Sequence, residues 1–305
     1  MCHTRVMPDG SIIKGAQGNF PFDRSFAWEL RHGPKLDAPF TSFMARRVER
    51  MLYSAPWIHP DALPGVEDFG ATDIADRHQA IPPGVLARHG TSPLAPATVP
   101  DLIGVEDRRY LDSTGLIHHR DIGDLMRYAV MNQDLDVRSR YKDFVPVEAL
   151  PFGIGKAPAD PAKNSEGRYS DQQLYVLALY IYSLRPPANP NRPDALSAAG
   201  KKVFEQGCAG CRTPPLYTNN KRTPALGYRP SPQDADVVPV CLRTNPALAL
   251  KTRRGTGYYK VPSLNGVWYR GPFEHQGSVA TPQDWFDPRR LHDDYEPTGF
   301  KGYGV

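Results

Sequence analysis

The sequence predicts a mainly α-helical chain of two domains, built from short helices joined by long irregular loops. Its 305 residues are a typical length for two domains, and 40% of them are hydrophobic, which is enough for buried cores. The 32 proline and 26 glycine residues favour turns and end helices early. A motif that occurs twice, 162 residues apart, indicates that one domain duplicates the other.

The repeated motif reads V-P-x-L-x-G-V, followed at matched spacing by an arginine and a glycine. Its two copies occupy residues 99–115 and 261–277. Each copy lies downstream of a cysteine, so Cys2 and Cys211 become equivalent positions. We therefore divide the chain into a first domain of residues 1–190 and a second of residues 191–305.

Helical spacing of apolar residues predicts short helices on both sides of this boundary. They cover residues 42–52, 121–131, 170–184 and 195–206, and a further short helix begins at Thr281 with a capping threonine and a proline. The helix over residues 170–184 closes the first half. No equivalent helix follows the second copy of the motif, so we expect the second domain to stop before its last helix. We also expect the first domain to lack its beginning, because its cysteine motif at Cys2 is incomplete.

Charge and hydropathy exclude two classes of partner. The 37 basic and 33 acidic residues give a net charge of +4 and are spread along the chain, whereas nucleic-acid binding requires clustered positive charge. No run approaches the roughly 18 apolar residues of a membrane span. We expect neither nucleic acid nor a membrane span. The first residues also lack the pattern of a secretory signal.

Cys208 and Cys211 are two residues apart at the end of the helix predicted over residues 195–206. This spacing suits half of a zinc site, a redox disulfide, or two thioether links to haem. Zinc would need more ligands, and only Cys241 and His275 follow. A redox motif opens a helix, where the dipole lowers the thiol pKa, but this one closes a helix.

Covalent haem attachment uses C-x-x-C-H, in which the final histidine binds iron. Arg212 stands at that position, and its protonated guanidinium has no lone pair for a metal. The motif therefore looks like a haem site that has lost its ligand. At the other end of the chain, Cys2 and His3 read as the last two residues of such a motif without its first cysteine.

Three segments together resemble the bacterial di-haem cytochrome c peroxidases and their relatives, which include the haem-containing rubber oxygenases. They are G-K-K-V-F at residues 200–204 before the cysteine pair, V-P-S-L at 261–264, and P-F-E-H-Q-G-S-V-A-T at 272–281. In that family each half is a mainly helical cytochrome c domain. The resemblance covers both halves and implies two cytochrome c-like domains here.

The resemblance implies haem c, with up to two groups. Cys2 and His3 would belong to the first site, with His3 as proximal iron ligand, and Cys208 and Cys211 would carry the second haem. His275 matches a family histidine beside a haem edge and is expected to contact a propionate or the space between haems. The chain departs from the family at the missing first cysteine and at Arg212.

Met126 is a candidate axial ligand, with core packing as the alternative, and His118 and His119 are not expected to bind iron. The family implies a periplasmic protein that transfers electrons with a small redox protein or other electron carrier and binds peroxide or oxygen. The function expected is that of a c-type haem protein for electron transfer, with peroxidase-type oxidoreductase activity in the intact parent. The alternatives are a haem-free remnant or binding module on the same scaffold, oxidation of an organic substrate like that of a rubber oxygenase, and zinc binding.

Overall fold

The computed structural model describes residues 2–33, 69–87, 94–132, 171–252 and 255–302. Its seven described helices are α1 (Phe22–His32), α2 (Ala71–Ala80), α3 (Ile122–Asn132), α4 (Asp171–Ser183), α5 (Ala195–Gly207), α6 (Ala247–Leu250) and α7 (Pro282–Trp285). Two short 3-10 helices cover Val105–Asp107 and Pro288–Leu291.

Strands in the described ranges are two or three residues long and form four separate antiparallel pairs. The pairs are β1 (Thr4–Val6) with β2 (Ile12–Lys14), β3 (Val85–Leu86) with β4 (Ala97–Thr98), β5 (Tyr110–Leu111) with β6 (Ile117–His118), and β7 (Arg222–Pro224) with β8 (Tyr258–Lys260). Sequence periodicity did not indicate them, because a strand of two residues shows no alternation. The two cytochrome c-like domains and their boundary at residue 190 stay predictions.

Several predicted helices are confirmed. The helix predicted over residues 195–206 is α5, which begins after Asp194, whose side chain accepts a hydrogen bond of 2.7 Å from Ser197 N. The short helix predicted from Thr281 is α7, with Thr281 as its cap. The helices predicted over 121–131 and 170–184 are α3 and α4. The helix predicted over 42–52 lies outside the described residues.

The largest hydrophobic core joins both halves of the sequence. It contains the buried residues Ile13, Ala16, Ile103, Val105, Leu111, Leu125, Ala178, Ile181, Leu184 and Tyr269. Helices α3 and α4 pack against each other beside it, and α1 packs against α2. Because Tyr269 belongs to the second copy of the motif, this core fixes the second copy against the first half.

Two helices present apolar side chains differently from the sequence prediction. The apolar spacing over residues 170–184 places Leu177 on the same face as Leu174 and Ile181. It is nevertheless 41% exposed, since the core contacts a stripe through Leu174, Ala178 and Ile181 and Leu177 lies beside that stripe. Helix α5 has no buried residue, and Leu196 and Val203 are 81% and 68% exposed. The apolar spacing therefore predicted the helix α5 correctly, but the apolar side of this helix lies at the protein surface. No helix in the described ranges is long and apolar enough to cross a membrane.

The two copies of the motif have the same turn. Gly104 and Gly266 both adopt positive φ, at 70° and 77°, where a side chain would strain the backbone. At the next position, the amide of Val105 donates to Leu102 O and that of Val267 donates to Leu264 O, each at 3.2 Å. The repeat found in the sequence is thus also a repeat of backbone conformation.

The arginine of each copy clamps its own turn. Arg108 donates from Nη1 to the carbonyl of Asp101, and Arg270 donates from Nη2 to the carbonyl of Ser263 at 2.7 Å. In both cases the acceptor lies seven residues before the arginine. A guanidinium with its several donors in a fixed fork suits this use, which explains why an arginine recurs at that spacing.

Candidate functional site

His3 lies against the first copy of the motif. Its Nδ1 is 3.0 Å from the carbonyl oxygen of Pro100. Because a carbonyl oxygen only accepts, Nδ1 carries the proton, and in the neutral ring the lone pair is on Nε2. The chain then returns, so that the amide of Gly18 donates to Cys2 O at 3.0 Å. Cys2 and His3 are thereby held at one end of the first motif.

Cys208 and Cys211 are exposed free thiols at the end of α5. The amide of Cys208 donates to Phe204 O at 2.8 Å and closes the helix, and the amide of Arg212 donates to Cys208 O at 2.9 Å. Both cysteine side chains on this turn are exposed to solvent. Thiols in that position are open to reaction with a bound group.

Arg212 repeats the contact that His3 makes. Its Nη1 donates to the carbonyl oxygen of Pro262 at 2.9 Å, and Pro262 is the counterpart of Pro100 in the second copy of the motif. Burial lowers the pKa of the Arg212 guanidinium. The residues that follow Cys2 and Cys211 therefore occupy matching places, although one is a possible metal ligand and the other has no lone pair to offer.

His275 is held in a partly buried site between the two halves. Tyr259 donates its hydroxyl proton to Asn245 O at 2.7 Å, so the contact of 3.3 Å from His275 Nε2 to that hydroxyl is one in which the histidine donates. Nδ1 then accepts from Thr244 Oγ1 at 3.4 Å. The carbonyl of His275 accepts from the amide of Thr98 at 2.8 Å.

Both ring nitrogens of His275 are thus engaged by the protein, and its ring lies over Tyr259 with 4.4 Å between centroids. Burial lowers the pKa of His275 to about 3, so the imidazole is neutral at physiological pH. Its expected contact with a propionate stays a prediction.

The junction between the two motifs is rich in buried polar groups. Tyr269 donates from its hydroxyl to Asp101 Oδ2 at 3.0 Å, and Arg270 Nε lies 3.9 Å from the same oxygen. Burial, followed by the charge of Asp101, raises the pKa of Tyr269. Burial and the neighbouring charge of Arg108 lower the pKa of Lys260 to about 7. The junction therefore places the buried guanidinium groups of Arg108 and Arg270 around the Asp101 carboxylate and the neutral phenol of Tyr269.

The remaining candidates have structural surroundings. Met126 packs against the largest core, which is the alternative given for it above. His118 stacks on Tyr110 with 5.2 Å between ring centroids. His119 contacts Arg108 O through Nδ1 at 2.7 Å and the Tyr182 hydroxyl through Nε2 at 2.6 Å. The axial role of Met126 stays a prediction.

Two buried pairs were not found from the sequence. One is Tyr269 with Asp101, and the other is Asp23 with His78, whose side chains are 2% and 0% exposed and whose oxygen and Nδ1 are 2.7 Å apart. Asp23 also accepts from the amide of Ala87. Nothing local marks these residues, because each partner lies more than fifty positions away.

Zinc binding has no support in the part of the chain that the structure describes, where no three His, Cys, Asp or Glu residues are grouped to hold a metal ion. Cys241 is exposed, and its sulfur lies 3.5 Å from Leu242 O. The comparisons with known proteins leave the function open. No family model, no curated protein and no solved structure matches this chain.

Proposed function

We propose that this chain is a c-type haem protein for electron transfer, with one haem position at Cys2 and His3 and a second at Cys208 and Cys211. The observation that carries the proposal is the matched contact of His3 with Pro100 O and of Arg212 with Pro262 O. It supports reading each cysteine before these residues as the last cysteine of a haem-attachment motif. The duplicated motif then belongs to a duplicated haem-binding unit.

The first position fits a proximal iron ligand. Histidines that bind metals almost always donate their other ring N–H to a carbonyl or carboxylate, which fixes the tautomer and the ring orientation. His3 does so through Nδ1, so Nε2 is the ring nitrogen whose lone pair would bind iron. Cys2, directly before it, supplies a thiol for a thioether bond. Haem bound there would supply one-electron redox chemistry at iron.

The second position fits attachment but not ligation. Cys208 and Cys211 are exposed thiols with the spacing of two thioether links, and Val203, one turn earlier on α5, leaves apolar surface that a large apolar group would cover. Arg212 cannot bind iron. A second candidate function therefore deserves a test for this half: a haem-free scaffold in which the arginine keeps the contact of the lost histidine with Pro262.

The experiment is expression of the chain with an export signal in a host that matures c-type cytochromes, followed by haem staining of a denaturing gel and pyridine haemochrome spectra. We expect covalent haem. Cys208→Ser combined with Cys211→Ser should remove the haem of the second half, and Cys2→Ser should remove that of the first. Cys241→Ser is the matched control, since Cys241 is also an exposed free thiol but lies outside both motifs.

Arg212→His separates the two candidate functions of the second half. If that half is a haem site without a proximal ligand, this variant should shift the haem absorption bands and raise the haem content. If it is a haem-free scaffold, the haem of the parent chain should be unaffected by Cys208→Ser with Cys211→Ser. A chain without any covalent haem in the exporting host would refute the proposal.

A further inference from the structure

Tyr269 and Asp101 form a buried hydrogen-bonded pair that joins the two copies of the motif. They are 2% and 5% exposed, and the phenol donates to Asp101 Oδ2 at 3.0 Å. Asp101 is oriented by the amide of Ile103, which donates to Oδ1 at 3.0 Å, and by Arg270, whose Nε lies 3.9 Å from Oδ2. The phenol therefore has a fixed proton acceptor inside the protein.

A short path connects this pair to His3. The imidazole donates to Pro100 O at 3.0 Å, Pro100 is bonded to Asp101 in the chain, and the Asp101 side chain accepts from Tyr269. Two hydrogen bonds and one stretch of covalent structure thus separate the proposed iron ligand from the phenol. The path crosses from the first copy of the motif to the second.

The surroundings decide which chemistry the phenol can perform. Burial raises the pKa of Tyr269, so at neutral pH the residue is a neutral phenol. Removing one electron alone would leave a positive charge on a buried ring, which is costly in a medium of low dielectric constant. Transfer of the proton to a neighbouring carboxylate at the same time avoids that charge. Asp101 lies in the right place to accept it.

We propose that Tyr269 is a redox-active residue of the His3 site and that Asp101 accepts its proton. The inference rests on the proposed haem at His3, because a haem held there would supply the one-electron oxidant after reaction with peroxide. Tyr269 would give up one electron, its O–H bond would break, and the proton would move to Asp101 Oδ2. The products are a neutral tyrosyl radical and a protonated carboxyl group. An external electron donor reverses the step, and the proton returns from Asp101.

The test uses the full haem-loaded chain, treated with hydrogen peroxide, frozen rapidly and measured by electron paramagnetic resonance. We expect a radical whose hyperfine structure changes when the protein is made with ring-deuterated tyrosine. Tyr269→Phe should lose this signal. Asp101→Asn, which keeps the side-chain size but removes the base, should reduce it strongly. Tyr258→Phe is the matched control, since Tyr258 is also 2% exposed and also donates to a carboxylate, that of Asp234.

Haem content is measured on every sample, so that the two proposals fail separately. Covalent haem with no tyrosyl radical, or with a radical that Tyr269→Phe leaves unchanged, overturns the inference and leaves the proposed function intact. Absence of covalent haem in the parent chain overturns both. If Tyr269→Phe does not fold, the Tyr258→Phe protein is measured instead. A radical at Tyr269 must then show hyperfine coupling to one exchangeable proton, and deuterium oxide must remove this coupling. A radical without such a coupling overturns the inference.

Discussion

Replacing Asp23 tests whether the buried pair between α1 and α2 holds the first half together. Its carboxylate accepts from His78 Nδ1 at 2.7 Å and from the amide of Ala87 at 3.2 Å. Asp23→Ala leaves both donors buried without an acceptor. A buried unsatisfied donor costs about 1–3 kcal/mol, so the expected loss in the free energy of unfolding is about 2–5 kcal/mol.

The assay is urea unfolding of the full chain, followed by tryptophan fluorescence, to which Trp28 on α1 contributes. The matched control is Asp76→Ala on α2. Asp76 pairs with Arg31 of α1 at 2.5 Å, but its side chain is 65% exposed, so removing it should cost about 0–1 kcal/mol. Asp23→Asn should recover part of the loss, since the amide oxygen still accepts. A loss from Asp23→Ala no larger than that of the control would refute the reasoning.

Two further predictions concern the motif and its surroundings. Gly104→Ala should lower the free energy of unfolding by about 1–2 kcal/mol from the left-handed backbone alone, because an added Cβ meets nothing within 4 Å. Gly266→Ala should lower it by roughly 2–5 kcal/mol, because its Cβ would clash with the side chain of Tyr269. Equal losses for the two variants in urea unfolding would contradict the clash with Tyr269. The pKa of His275 lies at about 3 in the folded chain and about 6.5 in the unfolded chain, so protonation favours unfolding. The contribution of the neutral His275 to stability is complete above about pH 6.5 and is lost as the pH falls towards 3. His275→Gln should therefore flatten the dependence of the free energy of unfolding on pH between those values. An unchanged slope would show that the ring is not neutral in the folded chain.

Part of the candidate site could be selected from the sequence alone. Cys2, His3, Cys208, Cys211 and Arg212 were chosen from spacing and from the repeat, and the structure gives His3 and Arg212 the same backbone partner. Such signals are local, because attachment of a planar group requires cysteines at fixed separation. His275 was also selected from its segment, but only the fold shows that both of its ring nitrogens are already engaged.

The redox-active residue proposed above and its proton acceptor could not be selected from the sequence in this way. Asp101 and Tyr269 are 168 positions apart, and each looks ordinary among its sequence neighbours. Their pairing depends on the packing of the second copy of the motif into a core built mainly from the first half. The exposure of Val203 on α5 has the same origin, since an apolar stripe in a sequence predicts a face and does not determine what covers it.

The sequence by itself determined the positions of four helices within the described residues, the repeat, and the spacing of the cysteines, because each of these can be recognised from the residue pattern of short segments. Tertiary structure alone decided which of those features meet. It brought His3 to Pro100, Arg212 to Pro262 and Tyr269 to Asp101. The physical reason is that burial and hydrogen bonding between distant segments depend on how the chain folds back on itself. A local pattern of residues does not specify which distant segment it will contact.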